Sequence, residues 1–275
     1  MIAIALGVVV GLVLGLTGAG GSILASPLLM AGLGWSLPQT EPIALLAVCA
    51  AATFGTIVAW DETHVRWRAA MLMAGASVLT APLGVKAAWM MPVDTLTLVF
   101  AAVLGLVAVR MAWQALRAPA EASVVRATVS GDALPSQGGL VRLNAKGRIA
   151  WDARGAVVLA LIGAFTGLVA GLLGVGGGFV IVPALRYVSA LSMHSVIATS
   201  LMTIALTSAG AVVATLTQGF PIPWLVALPF VAGALIGMLI GRKVAPRIAG
   251  PRLQQGFAVV MLLVAVGLAV HILGA

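Results

Sequence analysis

Long apolar runs, cut at intervals by charge, proline or glycine, set the pattern of this 275-residue chain. Windows bounded in this way fall near 2–17, 22–34, 40–60, 67–91, 94–114, 155–174, 178–191, 194–217, 222–243 and 252–273. About 20 apolar residues cross the hydrocarbon of a bilayer as one helix, so the pattern predicts an all-α polytopic membrane protein. The windows form two sets of five. An offset of 156 residues superposes Gly11, Gly15, Gly18, Gly20, Gly21 and Pro27 on Gly167, Gly171, Gly174, Gly176, Gly177 and Pro183, an internal repeat with shared punctuation. Two homologous halves, 1–114 and 154–275, are therefore expected on either side of a linker, 115–153. In each half the second window, 22–34 or 178–191, is short for a span and follows a Gly-rich break, so each half is expected to open with a Gly-broken helical hairpin. Short, interrupted segments at corresponding positions of two halves point to the binding site of a transporter.

Composition narrows the class. Hydrophobic residues make up 62% of the chain and charged ones 8%, with a mean hydropathy of +1.18. That leaves too little polar surface for a water-soluble globule, which excludes soluble enzymes, nucleic-acid binders and disordered regulators. The formal charge of +8 and pI near 11.3 hint at an acidic partner until the charges are placed. Seven of the fifteen Lys/Arg residues lie between Arg110 and Arg154, four between Arg242 and Arg252, and Arg66 and Arg68 follow the third window. The positive-inside rule puts all three groups on the cytoplasmic face. An even number of crossings then separates the central group from the Arg242 group, which requires the pair 155–191 to enter and return on one side. The same count in the first half sends both termini outside and makes the halves an inverted repeat, in a bacterial inner membrane. The stretch 115–153, with Glu121, Asp132, Pro135, Gly138, Gly139, Asn144 and Lys146, reads as a cytoplasmic tether. Met1 to Leu16 lacks the basic region of a secretory signal and is expected in the mature fold. Cys49 stands alone, so no intrachain disulfide is expected.

The candidate chemistry sits at the breaks. Gly15-Leu-Thr-Gly-Ala-Gly-Gly-Ser22 and Gly171-Leu-Leu-Gly-Val-Gly-Gly-Gly178 each lie between two apolar segments. Glycine allows a sharp turn and close backbone approach to a ligand, and the half-helix that follows presents free N–H groups and a partial positive charge. Two such tips would hold an anion without a permanent buried charge. Thr17, Gly18, Gly20, Gly21 and Ser22 from one tip, and Gly174, Gly176, Gly177 and Gly178 from the other, are the candidate substrate contacts. The plainer reading is close helix packing, for which Gly-rich stretches are also used. Neither run is a dinucleotide fingerprint or a phosphate loop: Phe179 breaks the first pattern, and no Gly-Lys-Ser/Thr follows for the second.

Thr199, Ser200 and Thr203, followed by Thr207 and Ser208, add hydroxyls at helical spacing that could line a path to a tip, or merely bond their own helix. The first half has only Thr53 and Thr56 to match. Arg186 lies in the short window after Pro183, where it either guards the cytoplasmic entrance or snorkels to the interface. Lys86 shares that ambiguity, and His194 reads as interfacial. All seven acidic residues, Glu41, Asp61, Glu62, Asp94, Glu121, Asp132 and Asp152, fall at window ends or in loops. With no mid-membrane carboxylate, HExxH, or Cys/His cluster, the sequence offers no catalytic residues, cofactor site or metal site, and it does not read as an enzyme.

Taken together, Gly15-Leu-Thr-Gly-Ala-Gly-Gly21 with Pro27, Gly171-Leu-Leu-Gly-Val-Gly-Gly-Gly178 with Pro183, and Ala198-Thr-Ser-Leu201 resemble the sulfite exporter TauE/SafE family of membrane permeases. Members of that family usually carry Gly where this chain has Ala198. The resemblance covers both halves and implies a transporter of sulfur-containing anions such as sulfite, sulfoacetate or other organosulfonates. The expected partners are that small anion and the lipid bilayer, with no nucleic acid, and a homodimer is an open arrangement. Export through a midplane site is the leading expectation. Proton-coupled uptake, a cation permease and a membrane scaffold are the alternatives.

Overall fold

The computed structural model describes residues 2–18, 20–35, 37–60, 66–117, 152–173, 177–189, 193–217, 222–244, 259, 262–263 and 265–267. These form helices α1 (Ile2–Thr17), α2 (Gly20–Leu33), α3 (Leu37–Trp60), α4 (Trp67–Trp89), α5 (Val93–Arg117), α6 (Ala153–Leu173), α7 (Gly178–Val188), α8 (Met193–Thr217) and α9 (Trp224–Val244), with helical backbone again among 259–267. Helix ends fall within about three residues of the apolar windows, because charge, proline and glycine mark where apolar sequence stops. α5 runs to Arg117 and so takes up the first residues of the expected linker. The rest of the linker, 118–151, lies outside the described residues. Among the described residues, four helices are long and apolar enough to cross a membrane, at Gln39–Trp60, Ala153–Leu172, Ser195–Leu216 and Trp224–Val244. Ile2–Thr17 and Gly21–Leu33 are apolar but shorter. Leu79, Leu83, Leu161 and Leu225 are exposed on the outer faces, as lipid-facing positions would be.

Glycine determines which helices pair. Gly7, Gly11 and Gly15 of α1 interlock with Gly233, Gly237 and Gly241 of α9: a Cβ on Gly11 would strike the backbone of Ala234, and one on Gly237 the carbonyl of Val8. Contacts advance together along both helices, from Gly7 at Phe230 to Gly15 at Met238, so α1 and α9 run parallel. The second half repeats the device. Gly163 lies on Met73, Gly167 on Ser77, and Gly84 on Leu168 and Leu172, which makes α6 and α4 a parallel pair. Apolar burial gives helices little reason to associate in lipid, so close backbone approach at small residues supplies dispersion and polar contact instead. The hydroxyl of Thr80 uses that approach to donate to the carbonyl of Ala164 at 2.7 Å.

The centre is a crossing of α3 and α8. Cys49 Sγ lies 3.7 Å from the carbonyl oxygen of Ala205, its counterpart at the 156-residue offset, and each is near the middle of its helix. Gly55 meets Leu201 beyond that point, so α3 and α8 run antiparallel. Exchanging the two halves turns the α1–α9 pair into α6–α4 and the α3–α8 pair into itself. Each half is thus completed by helices of the other.

Charge segregates along this bundle. The Arg66 N–H donates to Thr199 Oγ1 near the start of α8 at 3.1 Å, and the Arg242 guanidinium donates to the carbonyl of Gly55 near the end of α3. Arg154 opens α6, parallel to α4, so Arg66, Arg68, Arg154, Arg242 and Lys243 gather at one end. Lys86, the counterpart of Arg242 at the 156-residue offset, sits in the last turn of α4 at the other end.

Candidate functional site

The site begins where α1 stops. The Gly18 N–H donates to the Leu14 carbonyl at 2.8 Å, and its φ of +73° turns the chain through the left-handed region that a side chain disfavours. The chain then reverses: Gly21 lies against Val10 and Leu14, and Gly32 against Leu6, so α2 returns antiparallel to α1. In the second half Gly177, with φ +60°, is the N-cap of α7, which has no side-chain cap. It packs over Thr166 and Ala170 of α6.

The starts of α2 and α7 then meet. A Cβ on Gly178 would lie 3.1 Å from Ser22 Oγ and within 2.7 Å of the Ile204 side chain. Ser22 and Gly178 are counterparts in the repeat, and Ile204 adjoins Ala205 at the α3–α8 crossing. Two helix N-termini, each equivalent to roughly +0.5 charge with free N–H donors, are therefore gathered near the middle of the bundle. No side-chain charge is described at this junction.

The α8 hydroxyls divide into two groups. Thr203 donates to the Thr199 carbonyl at 2.9 Å and Thr207 to that of Ile204 at 3.1 Å, the plain helix-bonding role. Ser200 reaches across: its hydroxyl lies 2.9 Å from the Ile197 carbonyl and 3.3 Å from that of Gly18. Thr199, Ser200 and Thr203 are all 0% exposed. Ser22, Gly178, Gly18 and Ser200 thus come together, with Thr199 and Thr203 on the turns beside them.

Other candidates fall elsewhere. Thr17 donates to the Val13 carbonyl in its own helix, Thr56 does the same to Ala52, and Thr53 is exposed. Gly20 opens α2, while Gly21 is a packing residue on α1. Lys86 is exposed at a helix end. Arg186 lies on α7 and His194 at the start of α8, but their side chains, like residues Gly174 and Gly176, lie outside those described. Sequence reasoning missed the part played by Arg66, whose backbone reaches Thr199; nothing in an Arg at a helix start signals that.

Two surface grooves lie among the described residues. One of about 280 Å³ is lined by Val158, Leu161, Ile162, Phe165, Val180 and Ala184, and one of about 470 Å³ by Trp67, Arg68, Met71 and Leu72. Neither is lined by Ser22, Gly178 or Ser200. Replacing Ser200 by alanine removes the hydroxyl that α8 extends to the Gly18 carbonyl. About 1 kcal/mol of stability is expected to go with that hydrogen bond, read as a lowered thermal midpoint in detergent.

An apolar helical bundle with four helices among the described residues long enough to cross a membrane defines a membrane-embedded, multi-helix protein, and its relatives make it a membrane transporter. The chain matches the family profile "Sulfite exporter TauE/SafE" over residues 3–268, and it belongs to that family. It is 27% identical to a probable membrane transporter protein of Xylella fastidiosa strain 9a5c, across 97% of this chain and 93% of that one. A probable membrane transporter protein of Methanocaldococcus jannaschii is 32% identical over 99 residues, covering 32% of this chain and 37% of the relative. No solved structure matches.

Proposed function

We propose that the protein exports a small sulfur-containing oxyanion, such as sulfite, sulfoacetate or another organosulfonate, through a midplane site between the starts of α2 and α7. The observation that carries this reading is the junction of Ser22 with Gly178 beside the α3–α8 crossing. Helix N-termini and a nearby hydroxyl suit an anion that accepts hydrogen bonds through several oxygens, while a cation site would call for acidic rings or carbonyl cages. The family name points to sulfur, and the geometry favours an anion.

The halves act as an inverted repeat in this reading. The antiparallel α3–α8 pair and the exchanged parallel pairs support it, as does the placement of Arg242 and Lys86 at opposite ends. The α1–α2 and α6–α7 pairs are then re-entrant hairpins, one from each face. The basic end is cytoplasmic by the positive-inside rule, which puts both termini outside an inner membrane. An inside-negative potential drives an anion outward with about 2.3 kcal/mol per charge per 100 mV.

Proteoliposomes test this. Efflux of sulfite or sulfoacetate is expected to rise with an imposed potential, inside negative. Flux that ignores a clamped potential, or that requires a pH gradient, sinks the potential-driven export mechanism.

A further inference from the structure

Among the described residues, Glu41 is the one acidic side chain inside a candidate membrane span, Gln39–Trp60 of α3. The sequence pattern put it at a window end; the helix carries it into its second turn. Glu41 is half-buried and makes no hydrogen bond or ion pair with a described residue. An ionisable group at membrane depth is costly, and where one persists it marks a path for ions or substrate. Among the described residues, the helices packed against α3 bring it no cation; Lys86 lies at the same end of the bundle, on α4, which is not packed against α3. α1 and α2 contain no titratable residue, and α8 and α9 carry His194, Arg242 and Lys243 at the opposite end of the bundle.

Its register adds a second observation. Glu41 precedes Ile197 by the repeat offset of 156 residues, and the Ile197 side chain closes against Gly18 at the first break. α3 thus carries a carboxylate where α8 carries the residue that covers a glycine turn.

We propose that Glu41 is an electrostatic release residue: its carboxylate weakens anion binding from its own end of the bundle, and protonation lifts that effect. This rests on the anion-transport reading above. Eight residues separate Glu41 from Cys49 at the crossing, about 12 Å along the helix. At an effective dielectric of roughly 20, a unit charge at that distance changes anion affinity about tenfold.

Uptake of methanesulfonate, whose charge does not change with pH, into membrane vesicles of each orientation gives the half-saturating concentration at each face. Glu41→Gln is expected to lower that concentration about tenfold at the Glu41 face at neutral pH and to leave the opposite face unchanged. It is also expected to abolish the difference between neutral and mildly acidic medium. Glu41→Asp keeps the charge and should match the parent protein. Unchanged values at both faces overturn the proposal, and so does loss of flux at both faces in a folded variant. If Glu41→Gln does not fold, the parent protein decides: its half-saturation at the Glu41 face must fall on acidification, and a flat profile overturns the proposal. A parent protein that carries no anion in either orientation fails the transport reading first, before any variant is compared.

Discussion

Replacing Gly178 by valine is expected to weaken anion transport roughly ten- to a hundredfold while leaving a folded protein in the membrane. The first atom of any side chain there meets Ile204 within 2.7 Å and lies 3.1 Å from Ser22 Oγ, so the starts of α2 and α7 must separate. Overpacking of this kind costs about 1–3 kcal/mol, which in anion affinity is roughly ten- to a hundredfold. Ile204 and Ser22 meet Gly178 with side-chain atoms and can yield somewhat, so the strain stays local and the bundle survives. Gly178→Ala should give a smaller defect of the same kind. Flux and thermal midpoint measured together separate loss of the site from loss of the fold. A scaffold protein would show no binding defect at all.

The opposite outcome is expected one helix pair away. Gly11→Leu drives a side chain into the backbone of Ala234, and Gly237→Leu does so into Val8. Backbone of a packed helix cannot step aside as the end of an isoleucine can, so α1 and α9 must part along their length. The cost is expected to reach or exceed the upper end of overpacking penalties, about 3 kcal/mol, and folded protein in the membrane should fall sharply. Gly75 and Gly105, where an added methyl would meet nothing within 4 Å, are the controls: alanine at either should leave yield and melting unchanged. Normal yield of Gly11→Leu would show that the α1–α9 pair is not held as described.

These two outcomes separate roles that the sequence presents as one motif. Gly11, Gly15, Gly18, Gly20 and Gly21 read along the chain as a single Gly-rich break, and the repeat at 167–178 strengthens that impression. In the fold, Gly11 and Gly15 are contact points for a helix more than 200 residues away, and only Gly18 turns the chain. Gly7, Gly11, Gly15 and Gly233, Gly237, Gly241 each recur every four residues. Nothing in either says that the two stripes face each other, because partner choice is set by how the halves interleave.

Helix positions were legible because an apolar run long enough to span has few other fates, and the charges report sidedness for a similar reason. Arg66 and Glu41 show where that legibility stops. Each lies near a window end and so reads as interfacial, whereas the Arg66 bond to Thr199 and the closure of Ile197, the counterpart of Glu41, on Gly18 exist only once the helices are packed together.

The claim that two helix starts form the anion site is tested most directly by a thermal-shift titration of purified protein with sulfoacetate, sulfite and Na⁺, run on the parent and on Gly178→Val. Ligand bound only by the folded state stabilises it by about 2.7 kcal/mol at a hundred times Kd. The expected result is a saturable rise in the parent with a sulfur anion, absent with Na⁺ as chloride, and shifted to roughly ten- to a hundredfold higher anion concentration in Gly178→Val. Equal stabilisation of Gly178→Val by the anion, or stabilisation of the parent by Na⁺ alone, would contradict it.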